Sequence, residues 1–300
     1  MKTFREAFEA GEFLITAEAG PPKGTDVEEM LHHARGLKGK IHAINVTDNQ
    51  SSVMRLGSLA GSYLLLKEGL DPIFQITCRD RNRLAIQSDL LSAHVFGIRN
   101  VLSLTGDHVL SGDHPEAKPV FDIDSSQLLQ IIERLNRGRD MSTKGPRGKV
   151  LEDGIELKGK TNLFPGSTVT PEALPIAPQL IKFEKKVKAG AKFFQTQAVY
   201  NVNKFKSFME TARQYNVKIL AGILLLKSAG MARYLNNFVP GISVPEEFIK
   251  ELEGSSDPLK TGIQIAGRLI KDIKPYCDGV HIMAIGAEDK VLDIMSEAGL

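Results

Sequence analysis

The chain is 300 residues long, 42% hydrophobic and 25% charged, ordinary values for a globular protein and enough chain for one large α/β domain. Its net charge of +2 and pI near 8.4 give no polyanion-binding signal, so nucleic acid is not implied. Two distant cysteines, Cys78 and Cys277, outside any C-x-x-C pair, argue against a disulfide framework and for reduced thiols in a cytoplasmic protein.

The opening segment MKTFREAFEAGEF is charged throughout, unlike a signal peptide, and no apolar stretch is long enough to span a membrane. A first strand is predicted over 13–17. It ends at Glu18, directly before Ala19-Gly20-Pro21-Pro22, where Gly-Pro-Pro must stop it. An amphipathic helix over 27–37 follows, then a strand over 42–46 and a helix over 57–67. The alternation repeats as strand 72–77 and helix 81–96, strand 100–104 and helix 125–136, and a strand near 162–169 with helix 177–189. It continues as strand 192–196 and helix 202–215, then strand 218–223 and helix 229–236. Helix 258–276 leads into the last strand, 279–283, and a helix over 288–298 closes the chain. Asp80 and Asp124 precede two of these helices, where side-chain caps are expected.

Eight β-then-α units in one alternation predict a parallel sheet closed as a single (β/α)8 TIM barrel over residues 1–300. An open doubly wound sheet is the alternative. Two segments break the period. One is 138–160, rich in Gly, Lys and Asp with a weak hairpin pattern; the other is 238–256, which holds a short helix at 245–253. Both read as insertions too short for cores of their own. The first is expected to be a surface hairpin, or a clamp or docking element.

Active sites of such barrels lie at the C-terminal ends of the strands. In order, those ends offer Glu18, Thr47 with Asp48 and Asn49, Gln75 with Thr77, Thr105-Gly106-Asp107, Thr168 with Thr170, Gln195-Thr196-Gln197, and His281. The seventh ends in the apolar run Ile223-Leu224-Leu225-Leu226. An apolar wall beside amides, hydroxyls and carboxylates suits a flat heteroaromatic ligand. Glu18, partly desolvated where a strand leaves the core, suits a general acid, against the plainer reading of a strand-end ion pair. His108, Asp113 and His114 lie on a loop without an established ligand spacing, so no metal is expected. No G-x-G-x-x-G follows a strand and no P-loop is present. Lys186-Val187-Lys188-Ala189-Gly190-Ala191 reads as a helix end with a glycine stop, its lysines a solvated face from which one can reach a phosphate.

Taken together, ITAEAGPPKG, AINVTDNQ, FQITCRD, LSLTGDH, PVFDIDS, KKVKAGAKFFQTQ and GVHIMAIG resemble the methylenetetrahydrofolate reductase family from about residue 3 to the end. The chain is most similar to the short form of anaerobic one-carbon metabolism, which lacks a regulatory domain. The resemblance implies a barrel that binds FAD without a Rossmann motif and reduces 5,10-methylenetetrahydrofolate to 5-methyltetrahydrofolate through flavin N5. It makes Glu18 the acid that protonates folate N10. It sets Asp107 beside the flavin and the pterin edge, and Gln197, Met231 and Leu235 against the folate. It assigns Thr47, Gln75, Thr105, Gly106, Asp124, Ser125, Gly166, Thr168, Lys182, Lys186 and Ala191 to the flavin, with Lys186 near the phosphates.

Departures accompany the match. Thr105 and Gln75 stand where better-known members carry arginine and histidine. Gly166 and Thr170 stand for a tyrosine and a histidine, and Leu235 for a covering phenylalanine. The electron donor implied is therefore NAD(P)H or a redox partner subunit, in an oligomer or hetero-complex. Any iron–sulfur cluster would belong to that partner. Two other readings remain open at this point: a flavin-free folate or pterin methyltransferase barrel, and a non-catalytic barrel subunit.

Overall fold

The computed structural model describes residues 2–239 and 241–300. Eight parallel strands close into a barrel in sequence order, β8 pairing back onto β1. They are β1 Leu14–Ala19, β2 Ala43–Val46, β3 Pro72–Thr77, β4 Asn100–Leu104, β5 Phe164–Val169, β6 Phe193–Ala198, β7 Lys218–Leu224 and β8 Gly279–Met283. Each lies on a predicted run. The helices are α1 Phe4–Glu9, α2 Glu28–Leu37, α3 Ser58–Lys67, α4 Arg83–Phe96, α5 Ser125–Asn136, α6 Ala177–Lys188, α7 Val202–Ala212, α8 Ala229–Phe238, α9 Glu246–Glu253, α10 Pro258–Ile273 and α11 Val291–Ala298. The closed barrel rules out the open sheet.

Several local expectations need correction. Helix α1 was not foreseen, although Thr3 and Glu6 form a reciprocal capping box that marks its start. Helix α4 begins two residues late, because Asn82, not Asp80, caps it: Asn82 Oδ1 accepts from the Leu84 and Ala85 amides. Asp80 instead takes two hydrogen bonds from Arg79. Helix α10 gives way at Ile273 to a 3₁₀ turn, Lys274–Tyr276, because Pro275 has no amide hydrogen to continue the helix.

The 138–160 segment is an irregular antiparallel arm, bridged at Arg139–Glu156 and Lys144–Val150. Asp140 ties its base by accepting from Ser142 N, Ser142 Oγ and Ile155 N at 2.9, 2.7 and 2.6 Å. Met141 and Leu157 pack under the arm against the core of α4 and α5.

The barrel interior is layered, because inward-facing residues recur every second position. Leu14, Ala43, Phe193 and other apolar side chains pack with Phe4 and Ala7 of α1 as a floor. Two residues further along the same strands, Thr16, Asn45, Gln195 and His281 form a buried polar layer. Asn45 and Gln195 exchange amide hydrogen bonds at 2.6 and 3.0 Å, and Gln195 Nε2 donates to Thr16 Oγ1 at 3.2 Å. Thr16 Oγ1 also lies 3.0 Å from His281 Nδ1. These amides satisfy one another, as burial requires. Two residues further again stand Glu18, Thr47, Gln197 and Met283, where the barrel opens.

Candidate active site

The strand C-terminal ends enclose a cavity of about 360 Å³, within the range of cofactor and substrate sites. Glu18, Thr47, Gln75, Thr105, Gly106, Asp107, Ser125, Thr168, Lys186 and Gln197 all line it. The structure thus brings together both proposed catalytic carboxylates and most of the expected cofactor contacts.

The carboxylates live differently. Asp48 is fully buried and accepts from Thr77 N and Oγ1, both at 2.9 Å, and from Arg81 Nη1 and Nη2 at 2.7 and 3.2 Å. Its lone pairs are spent on holding β2 to β3. The Glu18 side chain keeps 11% of its surface exposed, and its Oε1 takes one neutral hydrogen bond, from Gln50 Nε2 at 3.1 Å. Its Oε2 faces His281 Nε2 at 3.8 Å.

Around them, local geometry explains the residue types. Gly106 has φ +93°, and a Cβ there would lie 3.1 Å from the Cβ atoms of both Arg79 and Thr77. Glycine lets the chain turn tightly enough to present Asp107. The β6–β7 register slips between Gln195 and Ala198. That bulge brings Gln195, Thr196 and Gln197 to one wall, where strict alternation would turn the middle one away. Thr105 and Ser125 share a hydroxyl–hydroxyl bond of 3.2 Å.

Two features fit a flavin nucleotide. The Thr47 hydroxyl is buried without any hydrogen-bond partner, a group that a ligand would satisfy. Burial, with Lys182 adding repulsion, pushes the Lys186 ammonium down to about 8. Lys186 donates to the Thr168 carbonyl at 2.7 Å, leaving a desolvated cation that a phosphate would complete.

Six expected residues lie outside the cavity wall. Gly166 has no side chain to offer, and its face is covered by the Phe193 ring. Ala191 is buried in the outer core, and Lys182 is exposed on α6, acting at the site only through its charge on Lys186. Leu235 and Met231 pack on α8 into a cluster with Leu224 and Leu226. Asp124 caps α5 and borders a neighbouring hollow shared with Thr105 and Gly106. The residues that sequence reasoning missed are Gln50, Ser51 and Arg79. Their signals were the turn-rich DNQSS after β2 and the charges of CRDRN after the buried β3.

His108, Asp113 and His114 do not converge: Asp113 is engaged by Lys23, His114 and the Met54 amide. Among the described residues no group of three potential ligands could hold a metal, and no helix is long and apolar enough to cross a membrane.

Residues 3–299 match the family model described as methylenetetrahydrofolate reductase. Among curated proteins, methylenetetrahydrofolate reductase 2 of Schizosaccharomyces pombe is 26% identical over 243 residues, covering 75% of this chain and 35% of that protein. The 5,10-methylenetetrahydrofolate reductase of Pectobacterium carotovorum is 24% identical over 220 residues, covering 71% of this chain and 64% of that protein. The chain thus spans 35–64% of the length of these relatives. An uncharacterized Clostridium thermocellum protein that binds two copies of 5-methyl-5,6,7,8-tetrahydrofolic acid superposes with a TM-score of 0.66 at 17% identity, covering 98% of this chain and 96% of that one. At that identity the likeness is one of fold, as it is for Mycobacterium tuberculosis tryptophan synthase at a TM-score of 0.51 and 11% identity, with 99% of this chain and 93% of that one covered.

Proposed function

Since the chain belongs to the methylenetetrahydrofolate reductase family, we propose that it is a flavin-dependent reductase converting 5,10-methylenetetrahydrofolate to 5-methyltetrahydrofolate. One observation carries the assignment of roles: at the mouth, buried Asp48 is engaged by the Arg81 guanidinium, whereas half-buried Glu18 takes one neutral donor and faces the His281 ring at 3.8 Å. A carboxyl free of a guanidinium or ammonium partner can hold a proton and give it up.

FAD, when bound, supplies the hydride. Thr47, Gln75, Thr105, Gly106, Ser125 and Thr168 would line its ring, with Lys186 at the phosphates. Glu18 delivers its proton to N10 of the folate as the bond between N10 and the bridging carbon breaks. The hydride that bound FAD would supply would turn the bridging carbon into the methyl group, leaving to the protein the proton on N10. The carboxylate left on Glu18 is held by the Gln50 amide and takes its next proton from water. Gln197 presents its amide to the pterin edge, and Asp107 sets the polarity on the opposite side. The electrons come from NAD(P)H or a redox partner subunit, in a cytoplasmic oligomer or hetero-complex.

The test is anaerobic stopped flow on FAD-reconstituted protein mixed separately with NADH, NADPH and 5-methyltetrahydrofolate. Methyltetrahydrofolate should bleach the flavin, and Glu18→Gln should slow that step by ~10²–10⁴-fold with FAD still bound. Protein that stays colourless after reconstitution, or that transfers the methyl group with no flavin change, would sink the reading.

A further inference from the structure

The loop after β2, residues 47–53, reaches the Glu18 carboxylate and the backbone of Asp107. Gln50 Nε2 donates to Glu18 Oε1 at 3.1 Å, and Ser52 Oγ lies within donating distance of the Asp107 and His108 carbonyls, at 3.2 and 3.0 Å. Asn49, Ser51 and Ser52 have φ of 46°, 55° and 60°, a region costly for residues with side chains. Three such residues within four positions persist only where the surroundings hold them.

Arg79 grips the first and last of them. It is 2% exposed, the largest of the fully buried side chains. Its Nη2 donates to Asn49 O at 3.3 Å, and its Nη1 donates to Ser52 Oγ at 2.9 Å and Asp107 O at 3.4 Å. The same guanidinium is neutralised by Asp80 at 2.7 Å, so the buried cation is paired. The fit is close: a Cβ on Gly112 would lie 1.9 Å from the Ser52 carbonyl oxygen.

We infer that this loop is a bracket, pinned by Arg79, that fixes Glu18 relative to Asp107, and that Gln50 is the positioning residue for Glu18. The inference rests on the reading of Glu18 as proton donor. An amide N–H on Oε1 favours that oxygen as the carbonyl oxygen of the protonated carboxyl, the better acceptor of the two. The proton is therefore biased to Oε2, and Gln50 selects the oxygen that delivers it. Without Gln50, the carboxyl rotates and presents either oxygen.

Gln50 is only half-buried, so Gln50→Leu tests the idea without threatening the fold. Two measurements are made on it and on wild type: a crystal structure of the ligand-free protein, and anaerobic mixing of the FAD-loaded protein with 5-methyltetrahydrofolate. We expect the Glu18 carboxyl to lose its single orientation in the variant. Hydride exchange should slow by ~10–100-fold, the cost typical of a misplaced reacting group, with folate affinity within about twofold and dithionite reduction of the flavin unchanged. A Glu18 orientation identical in both proteins, or a wild-type rate in Gln50→Leu, overturns the proposal. If wild type itself exchanges no hydride with the folate, the reductase reading fails, and the two Glu18 orientations still decide this one.

Discussion

At the N-terminal end of the barrel, four phenylalanines close the interior: Phe4 meets Phe193 at 4.9 Å, Phe8 meets Phe164 at 5.0 Å, and Phe164 stacks on Phe193 at 5.8 Å. At the C-terminal end the same strands carry Glu18, Thr47, Thr168 and Gln197 around an open cavity. Four residues of strand separate the two environments: Leu14 to Glu18, Ala43 to Thr47, Phe164 to Thr168, Phe193 to Gln197. Between them lies the layer of Thr16, Asn45, Gln195 and His281, whose side chains bond mainly to one another, with His281 Nε2 facing Glu18 at 3.8 Å. Stability and chemistry are thus divided along the strand axis, with a satisfied polar layer insulating one from the other. The division predicts that substitutions at the floor cost folding and spare chemistry, and that those at the mouth do the reverse.

The strongest way to break this comparison is Phe4→Ala. Phe4 is fully buried and touches two aromatic partners from a helix that no strand can replace. Its truncation should cost ~3–5 kcal/mol of unfolding free energy, the range for emptying a buried phenylalanine site. Urea denaturation measures the loss. Below the new melting temperature, the rate of flavin reduction by methyltetrahydrofolate should stay within about twofold of wild type. A large fall in that rate would show the floor and the mouth to be one unit.

Lys186 tests the other end, and there the sign should invert. Its folded value is about 8 against an ordinary 10.5, so between those pH values the unfolded chain holds a proton that the folded protein has released. Stability of the ligand-free protein should therefore rise as pH climbs from about 8 towards 10.5, and stay flat in this respect below 8, where both states are charged. The gain is at most ~3 kcal/mol. Lys186→Met should abolish this rise and make the ligand-free protein more stable at pH 7, less the bond lost to the Thr168 carbonyl. Affinity for FAD should fall in the same variant, as measured by fluorescence titration. Equal stability of variant and wild type at pH 7, with the rise still present, would remove Lys186 from its desolvated role.

How much of this was legible in the sequence follows the same axis. The strands were readable because each is a short buried run ended by turn residues, and the barrel followed from counting them. Glu18, Asp107 and Gln197 were readable because a polar residue ending an apolar run must meet solvent or a ligand. The bracket was not readable. The left-handed turn of Asn49, Ser51 and Ser52 is gripped at both ends by Arg79, a residue just past the next strand's end, and no local propensity encodes that contact. That Met231 and Leu235 lie off the cavity wall has a related reason. Their positions follow from where α8 packs, and its buried face turns to a cluster that meets the cavity only through Met283. Helix α1 was an avoidable miss, since Thr3-x-x-Glu6 announces it.

Gly166 lies on the boundary between the two ends, and sharpens the comparison most finely. A resemblance alone would make it a flavin contact; the structure makes it the space that Phe193 fills. A Cβ on Gly166 would lie 2.2, 2.4 and 2.5 Å from three atoms of that ring. The ring cannot retreat freely, being fully buried between Phe4 and Phe164. Gly166→Ala should therefore cost ~1–3 kcal/mol, the usual price of overpacking a core. If the clash is the cause, shrinking the ring should relieve it: Gly166→Ala with Phe193→Leu should lose less than the two single variants added together. Additive losses would mean that the glycine is there for another reason. Thr168 lies two residues along the same strand, so FAD affinity in Gly166→Ala reports whether the polar layer insulates. An unchanged affinity keeps the two ends separate, and a weakened one shows β5 carrying strain from the floor into the mouth.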